Sequence, residues 1–131
     1  MAQKLRVLIV DNQVRARTSL KALLDVWSQI EEVREAANGM EAVQLAEEFQ
    51  PDIILMDVRM PGIDGLSATR LIKARWPQVK IIVLSMYPEF EAEALSAGAD
   101  SFVAKSDLAD KLRETLAHIV SDMEKKHSEE K

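Results

Sequence analysis

The 131-residue sequence has no cysteine, which excludes disulfides, thiolate metal sites and cysteine nucleophiles together. No apolar run approaches the roughly 20 residues a membrane helix requires. The opening MAQKLRVLIVDN reaches an aspartate after a few apolar positions, too soon for a secretory signal, so the default expectation is a cytoplasmic protein without a membrane span. No block of lysine and arginine stands out against a formal net charge of -5, so direct, sequence-independent nucleic-acid binding by this segment is not expected. No internal repeat of sequence and no low-complexity block precedes the charged tail. What remains is a hydrophobic fraction of 47%, enough to fill one core, in a length suited to one domain.

Short β-branched or leucine-rich runs alternate with helical patterns. Leu5–Val10 is a buried strand, rich in Val and Ile and too short for a helix. Leu20, Leu23, Leu24 and Trp27 then follow helix spacing. A weak strand is expected over Glu32–Ala36, a turn at Asn38-Gly39, and a second helix marked by Ala42, Leu45, Ala46 and Phe49. Pro51 breaks that helix before the strand Asp52–Met56, which ends at Asp57. Pro61-Gly62 and Asp64-Gly65 mark a loop, and Ala68, Leu71, Ile72 and Trp76 a third helix stopped by Pro77. Lys80–Leu84 is a strand running into Ser85. A short helix over Pro88–Ala97 is closed by Gly98, and Ser101–Ala104 is a fifth strand ending at Lys105. Asp107 is expected to cap a last helix with Leu108, Leu112, Leu116, Ile119 and Met123 on one face. Residues 1–123 are read as the domain, and Glu124–Lys131 as a charged tail, a frayed helix end or the start of a linker.

Five βα repeats with doubly buried strands imply an α/β protein with a parallel sheet and helices on both faces. Ligands in such sheets gather outside the carboxyl ends of the strands. Those ends carry Asp11 with Asn12, Asp57, Ser85 and Lys105. Asp57 can act as a carboxylate nucleophile toward a phosphoryl group. Lys105 offers a cation, and Ser85 a hydroxyl, for phosphoryl oxygens. Asp11 can hold a hard cation such as Mg²⁺ through oxygen. Taken singly, either Asp is as readily a turn former or helix cap, Ser85 a cap and Lys105 a surface lysine. Their joint placement at one rim suits phosphoryl transfer, which depends mainly on positioning and charge neutralisation.

In order and spacing, VLIVDNQ, IILMDVRMPGIDG, VLSMYP and AGADSFVAKSD resemble the signature segments of bacterial response-regulator receiver domains. The similarity runs from about Leu5 to Met123. The SMYP segment and a residue other than proline after Lys105 look most like the LuxR/NarL group. The resemblance implies a flavodoxin-like (βα)5 doubly wound fold with a five-stranded parallel sheet of order 2-1-3-4-5. It implies a two-component signalling switch in which Asp57 accepts phosphate from a sensor histidine kinase, Ser85 and Lys105 contact the phosphoryl oxygens, and Mg²⁺ is held by Asp11, Asp57 and the Arg59 backbone carbonyl. Phe102 would be the switch aromatic, a role compatible with an ordinary core phenylalanine. The positions two after Asp57 and two after Ser85 influence aspartyl-phosphate lifetime in the family. Here they are the large Arg59 and Tyr87, which read equally as solvated surface. The output implied is transcription, through a DNA-binding domain absent from this chain and driven by the face of fourth helix, fifth strand and fifth helix, with homodimerisation on activation as an option.

One position departs from the pattern. Receivers usually carry two acids after the first strand, whereas here the pair is Asp11-Asn12. Asn12 keeps a carbonyl oxygen but brings no charge, so attraction for a divalent cation falls, while repulsion around Asp57 also falls. That departure supports a rival reading, a receiver-like interaction module independent of phosphorylation. An aspartate-nucleophile phosphatase would be expected to carry a second Asp at position 59, where Arg59 stands. A flavodoxin-like cofactor binder would need a Ser/Thr/Gly-rich loop after the first strand, which is lacking. The chain is therefore expected to be a phosphoacceptor and not a turnover enzyme.

Overall fold

The computed structural model describes residues 4–60 and 62–129, and Pro61 and the ends of the chain lie outside that range. Five parallel strands, β1 (Leu5–Val10), β2 (Ile30–Ala36), β3 (Ile53–Asp57), β4 (Lys80–Ser85) and β5 (Ser101–Ala104), form one sheet of order β2-β1-β3-β4-β5. Between and after them run α1 (Val14–Leu24), α2 (Gly39–Phe49), α3 (Gly65–Arg75), α4 (Glu91–Ser96) and α5 (Leu108–Glu129). This is the parallel sheet expected from the alternation, in the flavodoxin-like, doubly wound order that the family resemblance implied.

Strand periodicity divides the core in two. Leu8, Val10, Ile54, Met56, Ile81 and Val83 face α2, α3 and α4, where they meet Ala42, Ala46, Ala68, Ile72 and Ala94. Val7, Ile9, Ile53, Leu55, Ile82 and Leu84 face the other way, against Leu20 and Leu24 of α1 and Leu112, Leu116 and Ile119 of α5. Both faces of the central strands are dry, which explains their unbroken apolar runs. Edge strand β2 leaves Glu31, Glu32, Arg34 and Glu35 exposed. Charge along an exposed edge opposes pairing with other chains.

Local chemistry sets the helix starts. The Asn38 side chain accepts from the Glu41 amide at 2.9 Å while the Glu41 carboxylate accepts from the Ala37 amide at 3.1 Å, a reciprocal cap on α2. Asp64 caps α3 through the Ser67 amide at 2.8 Å.

Several boundaries differ from the sequence expectation. α1 ends at Leu24, so Trp27 belongs to the turn that follows, where its amide donates to the Leu24 carbonyl and its ring still packs on the α1/α5 face. Trp76 caps α3 from outside the helix. Strand β2 begins two residues earlier than expected, at Ile30 rather than Glu32. The Pro88–Ala97 segment is a 3-10 turn over Pro88–Phe90 followed by α4. A second 3-10 turn, Lys105–Asp107, leads from β5 into α5, so Asp107 stands in that turn. α5 continues past Met123 to Glu129.

Candidate functional site

The parallel sheet delivers four strand ends to one rim. Asp11 follows β1, Asp57 ends β3, Ser85 ends β4, and Lys105 follows β5. Together with Asn12, Arg59 and Tyr87 they line a cleft of about 580 Å³. Seven of the eight residues expected at the site are thus gathered in one place. Phe102 is the exception. It lies partly buried against the α2/α3/α4 core face and does not line the cleft.

Lys105 is the centre of the charge arrangement. Its Nζ lies 3.0 Å from Asp11 Oδ2 and 3.2 Å from Asp57 Oδ1. Asp11 is only 1% exposed, and its other oxygen accepts from the Gln13 amide at 2.9 Å. Burial pushes the Asp57 carboxyl above its ordinary value of 3.8; Lys105 pulls it down and Asp11 pushes it up again. Burial alone would lower Lys105, but its hydrogen bond to Asp11 and the attraction of both carboxylates outweigh that and hold the ammonium above the ordinary lysine value. The floor of the cleft is therefore a cation shared by two acids, one of which faces the opening.

Ser85 is buried, and its Oγ accepts from the Tyr87 amide at 3.0 Å. That bond leaves the hydroxyl proton available for another acceptor. At the mouth, the Arg59 guanidinium stacks on the Tyr87 ring at 4.4 Å from its centroid, and Tyr87 meets Phe90 edge-on at 6.2 Å. Arg59 and Tyr87 are exposed, but they cover each other beside the acid rather than extending independently into solvent.

Two residues that the sequence did not single out also shape the site. Arg15 lines the cleft from the first turn of α1 and adds positive charge to its wall. Gly65, legible in the sequence only as a turn residue, presses against the main chain of Asp57 and Val58, and its amide donates to the Val58 carbonyl at 2.8 Å.

The donor set suits a small hard cation. Two carboxylates, the side-chain carbonyl of Asn12 and the main-chain carbonyl of Arg59 are oxygen donors, and Mg²⁺ typically uses one or two carboxylates with water completing its octahedron. The set is lean, since no group of three or more His, Cys, Asp or Glu residues is placed to hold a metal among the described residues.

Residues 7–117 match the family described as the response regulator receiver domain. The chain belongs to this family. It is 40% identical over 117 residues to the response regulator protein VraR of Staphylococcus aureus, an alignment covering 85% of this chain and 56% of VraR. The chain thus spans little more than half the length of the curated relatives it matches. Among solved structures, a LuxR-family two-component response regulator from Aurantimonas sp. SI85-9A1 is similar at a TM-score of 0.85 and 30% identity, covering 92% of this chain and 87% of that one. The response regulator domain of Thermotoga maritima CheB aligns at 0.82 and 31%, covering 91% and 98%. The signal receiver domain of NarL from Mycobacterium tuberculosis aligns at 0.82 and 25%, covering 91% and 98%.

This receiver is therefore a signalling domain of two-component response regulators, related to LuxR-type regulators of transcription. Receivers are switches rather than turnover enzymes, generally bind Mg²⁺ at the phosphorylation site, and work with sensor histidine kinases. Among the described residues, no helix is long and apolar enough to cross a membrane.

Proposed function

We propose that Asp57 is the phosphoacceptor and that Lys105 and Ser85 hold the phosphoryl group once it is attached. The observation that carries this reading is Lys105 Nζ at 3.2 Å from Asp57 Oδ1, at the floor of an open cleft with a buried serine hydroxyl on its wall. An Asp57 carboxylate oxygen attacks the phosphorus of a phosphohistidine on the kinase. The P–N bond breaks, its electron pair stays on the imidazole nitrogen, and an acyl phosphate forms on Asp57. The Lys105 ammonium offsets the charge that accumulates on the phosphoryl oxygens. Asp11, Asp57, the Arg59 main-chain carbonyl and the Asn12 side-chain oxygen would hold Mg²⁺, which supplies further neutralisation when bound.

Phosphorylation adds about -1.5 to -2 charges and three acceptor oxygens. Ser85 can donate its proton to one of them while its oxygen still accepts from Tyr87, provided the Ser85–Tyr87 segment moves toward Asp57. That movement opens room beside β4, which Phe102 fills by turning inward, and the α4-β5-α5 face changes. Phosphate favours one of two packings of the same fold. The output is transcription through a separate DNA-binding domain, with dimerisation on activation, in the cytoplasm. The receiver unit is taken to end near Met123, whose side chain packs on the core.

Incubation with a small phosphodonor and Mg²⁺ is expected to add one phosphoryl group per chain by intact mass, and none to Asp57→Ala. Release of phosphate from the donor faster than the isolated adduct decays would point to an enzyme instead. No adduct in folded protein at high Mg²⁺ would favour the phosphorylation-independent interaction module, which the missing charge at Asn12 otherwise suits.

Two smaller effects follow from the cleft wall. Asn12→Asp restores a carboxylate beside Asp11, so the Mg²⁺ midpoint is expected to fall several-fold in a titration; equal midpoints would remove the role assigned to this position. Arg59 and Tyr87, stacked at the mouth, screen the phosphoryl group from water. Replacing them together by Asn and Ala is expected to shorten the lifetime of the phosphorylated form several-fold, measured as decay after donor removal. An unchanged decay would show that the stack lies outside the path of the attacking water.

A further inference from the structure

Arg17 has no part in the chemistry above, yet it reaches the site through the main chain. It lies on the second turn of α1 with its side chain 14% exposed. Its guanidinium divides between two acceptors, Nη1 donating to the Asp11 carbonyl at 2.6 Å and Nε to Glu35 Oε1 at 2.9 Å. Glu35 stands on β2 opposite Ile9 of β1. The second Glu35 oxygen pairs with Lys21 Nζ, one turn further along α1, at 3.5 Å.

These contacts pin Asp11 from both sides. Its amide donates to the Ala36 carbonyl of β2 at 3.1 Å, and its carbonyl is taken by Arg17. With both peptide groups held, the carboxylate has little freedom, and it is this carboxylate that holds Lys105 Nζ at 3.0 Å. A chain of contacts therefore runs from Glu35 on the edge strand through Arg17 and Asp11 to Lys105 and Asp57. A helix-to-sheet ion pair alone would need only the Nε–Glu35 contact. The additional short, charge-assisted bond goes to the one carbonyl that precedes Asn12 and closes the turn at the cleft.

We propose that Arg17 is a positioning residue for the phosphoacceptor site, fixing the direction of the Asp11 carboxylate and, through it, the seat of Lys105. The proposal rests on the roles given above to Asp11 and Lys105. It assigns Arg17 no contact with phosphate or metal. Residues that orient a ligating side chain typically change metal affinity or activity about 10- to 100-fold when replaced.

Arg17→Lys and Lys21→Met separate positioning from simple ion pairing. Arg17→Lys keeps the charge but replaces the planar fork, whose Nε and Nη1 each serve one acceptor, with one ammonium on a flexible stem that does not fix both in the same geometry. Lys21→Met removes a partner of the same Glu35 without touching Asp11. In Arg17→Lys, phosphoryl uptake at Asp57 is expected to slow about tenfold, and the Mg²⁺ midpoint read from the Asn12 and Gln13 amide resonances to rise about tenfold. In Lys21→Met both should stay at the wild-type values. Wild-type behaviour of Arg17→Lys, or equal losses in the two variants, would overturn the proposal. If the wild-type chain takes up neither phosphoryl group nor Mg²⁺, the functional reading fails on its own. The Lys105 and Asp57 amide resonances without donor or metal then decide the question of Arg17. Displacement in Arg17→Lys but not in Lys21→Met supports positioning, and unmoved resonances contradict it. Should Arg17→Lys fail to fold, Glu35→Gln, which loosens the anchor and leaves Arg17 in place, is read by the same resonances.

Discussion

Gly65→Ala is expected to lower the unfolding free energy by about 3 kcal/mol, at the upper end of ordinary overpacking costs, and to reduce phosphoryl uptake with it. A Cβ at this position would fall well inside contact distance of the Asp57 carbonyl oxygen, 2.8 Å from the Asp57 carbonyl carbon and 3.0 Å from Val58 Cα. All three are main-chain atoms, so no rotamer change relieves the clash. Either α3 lifts from the sheet, breaking the Gly65 amide bond to Val58 and straining the Thr69 hydroxyl bond to the Gly65 carbonyl at 2.7 Å, or the end of β3 moves and takes Asp57 with it. Gly62 provides the contrast. Its φ of +77° disfavours a side chain, but a Cβ there meets nothing within 4 Å, so Gly62→Ala should cost only about 1 kcal/mol. Urea unfolding of the two variants checks the ranking. Equal costs would mean that the α3–β3 approach is not tight.

Lys105→Met is expected to cost about 2 kcal/mol at neutral pH, below the usual figure for breaking a fully buried pair because the cleft is open to water. The methionine removes the ammonium shared by Asp11 and Asp57 and leaves two acids facing each other across its place. The pH dependence has a defined sign. The Asp57 carboxyl is held above its ordinary value of 3.8 in the folded protein, so its contribution to stability is present in acid and is lost as pH rises through the raised folded value. Without Lys105, whose charge pulls that value down, the loss is completed at higher pH and is larger. The deficit of the variant should therefore be small in acid and grow toward neutrality. Lys105 itself, held above the usual lysine value of 10.5, keeps its stabilising contribution throughout the neutral range and loses it only as pH rises through its own raised value. Unfolding curves of both proteins across pH test this, and a deficit that is constant or largest in acid would contradict it.

The central strands and most of the site were legible in the amino-acid order, because strands dry on both faces write themselves as unbroken runs of Val, Ile and Leu. Asp57, Ser85 and Lys105 each stand where such a run stops, and the parallel topology does the rest. The end of α1 was not legible. Trp27 continues the helical spacing of Leu20, Leu23 and Leu24, yet it reaches the same core from a turn, and periodicity alone does not separate the two. Edge strand β2 was read only in part, since its solvent side carries charge in place of an apolar pattern. Arg15 and Arg17 sit among polar helix positions and give no sign that one lines the cleft and the other reaches the Asp11 carbonyl. Gly65 announced a turn, but its packing against the Asp57 main chain is a contact between β3 and α3 that appears only once the two are assembled. Asn12 worked in the opposite direction: its departure from the family pattern was plain in the sequence, and the structure adds that it is exposed at the cleft while its neighbour Asp11 is buried.

The most direct measurement is the position of the phosphoryl bond. After phosphorylation by a small donor with Mg²⁺, reduction with borohydride converts an aspartyl phosphate to homoserine, which peptide mass mapping locates. The account predicts homoserine at position 57 alone, and none when the donor is omitted. Modification at another acid, or none in folded protein at saturating donor and Mg²⁺, would contradict it.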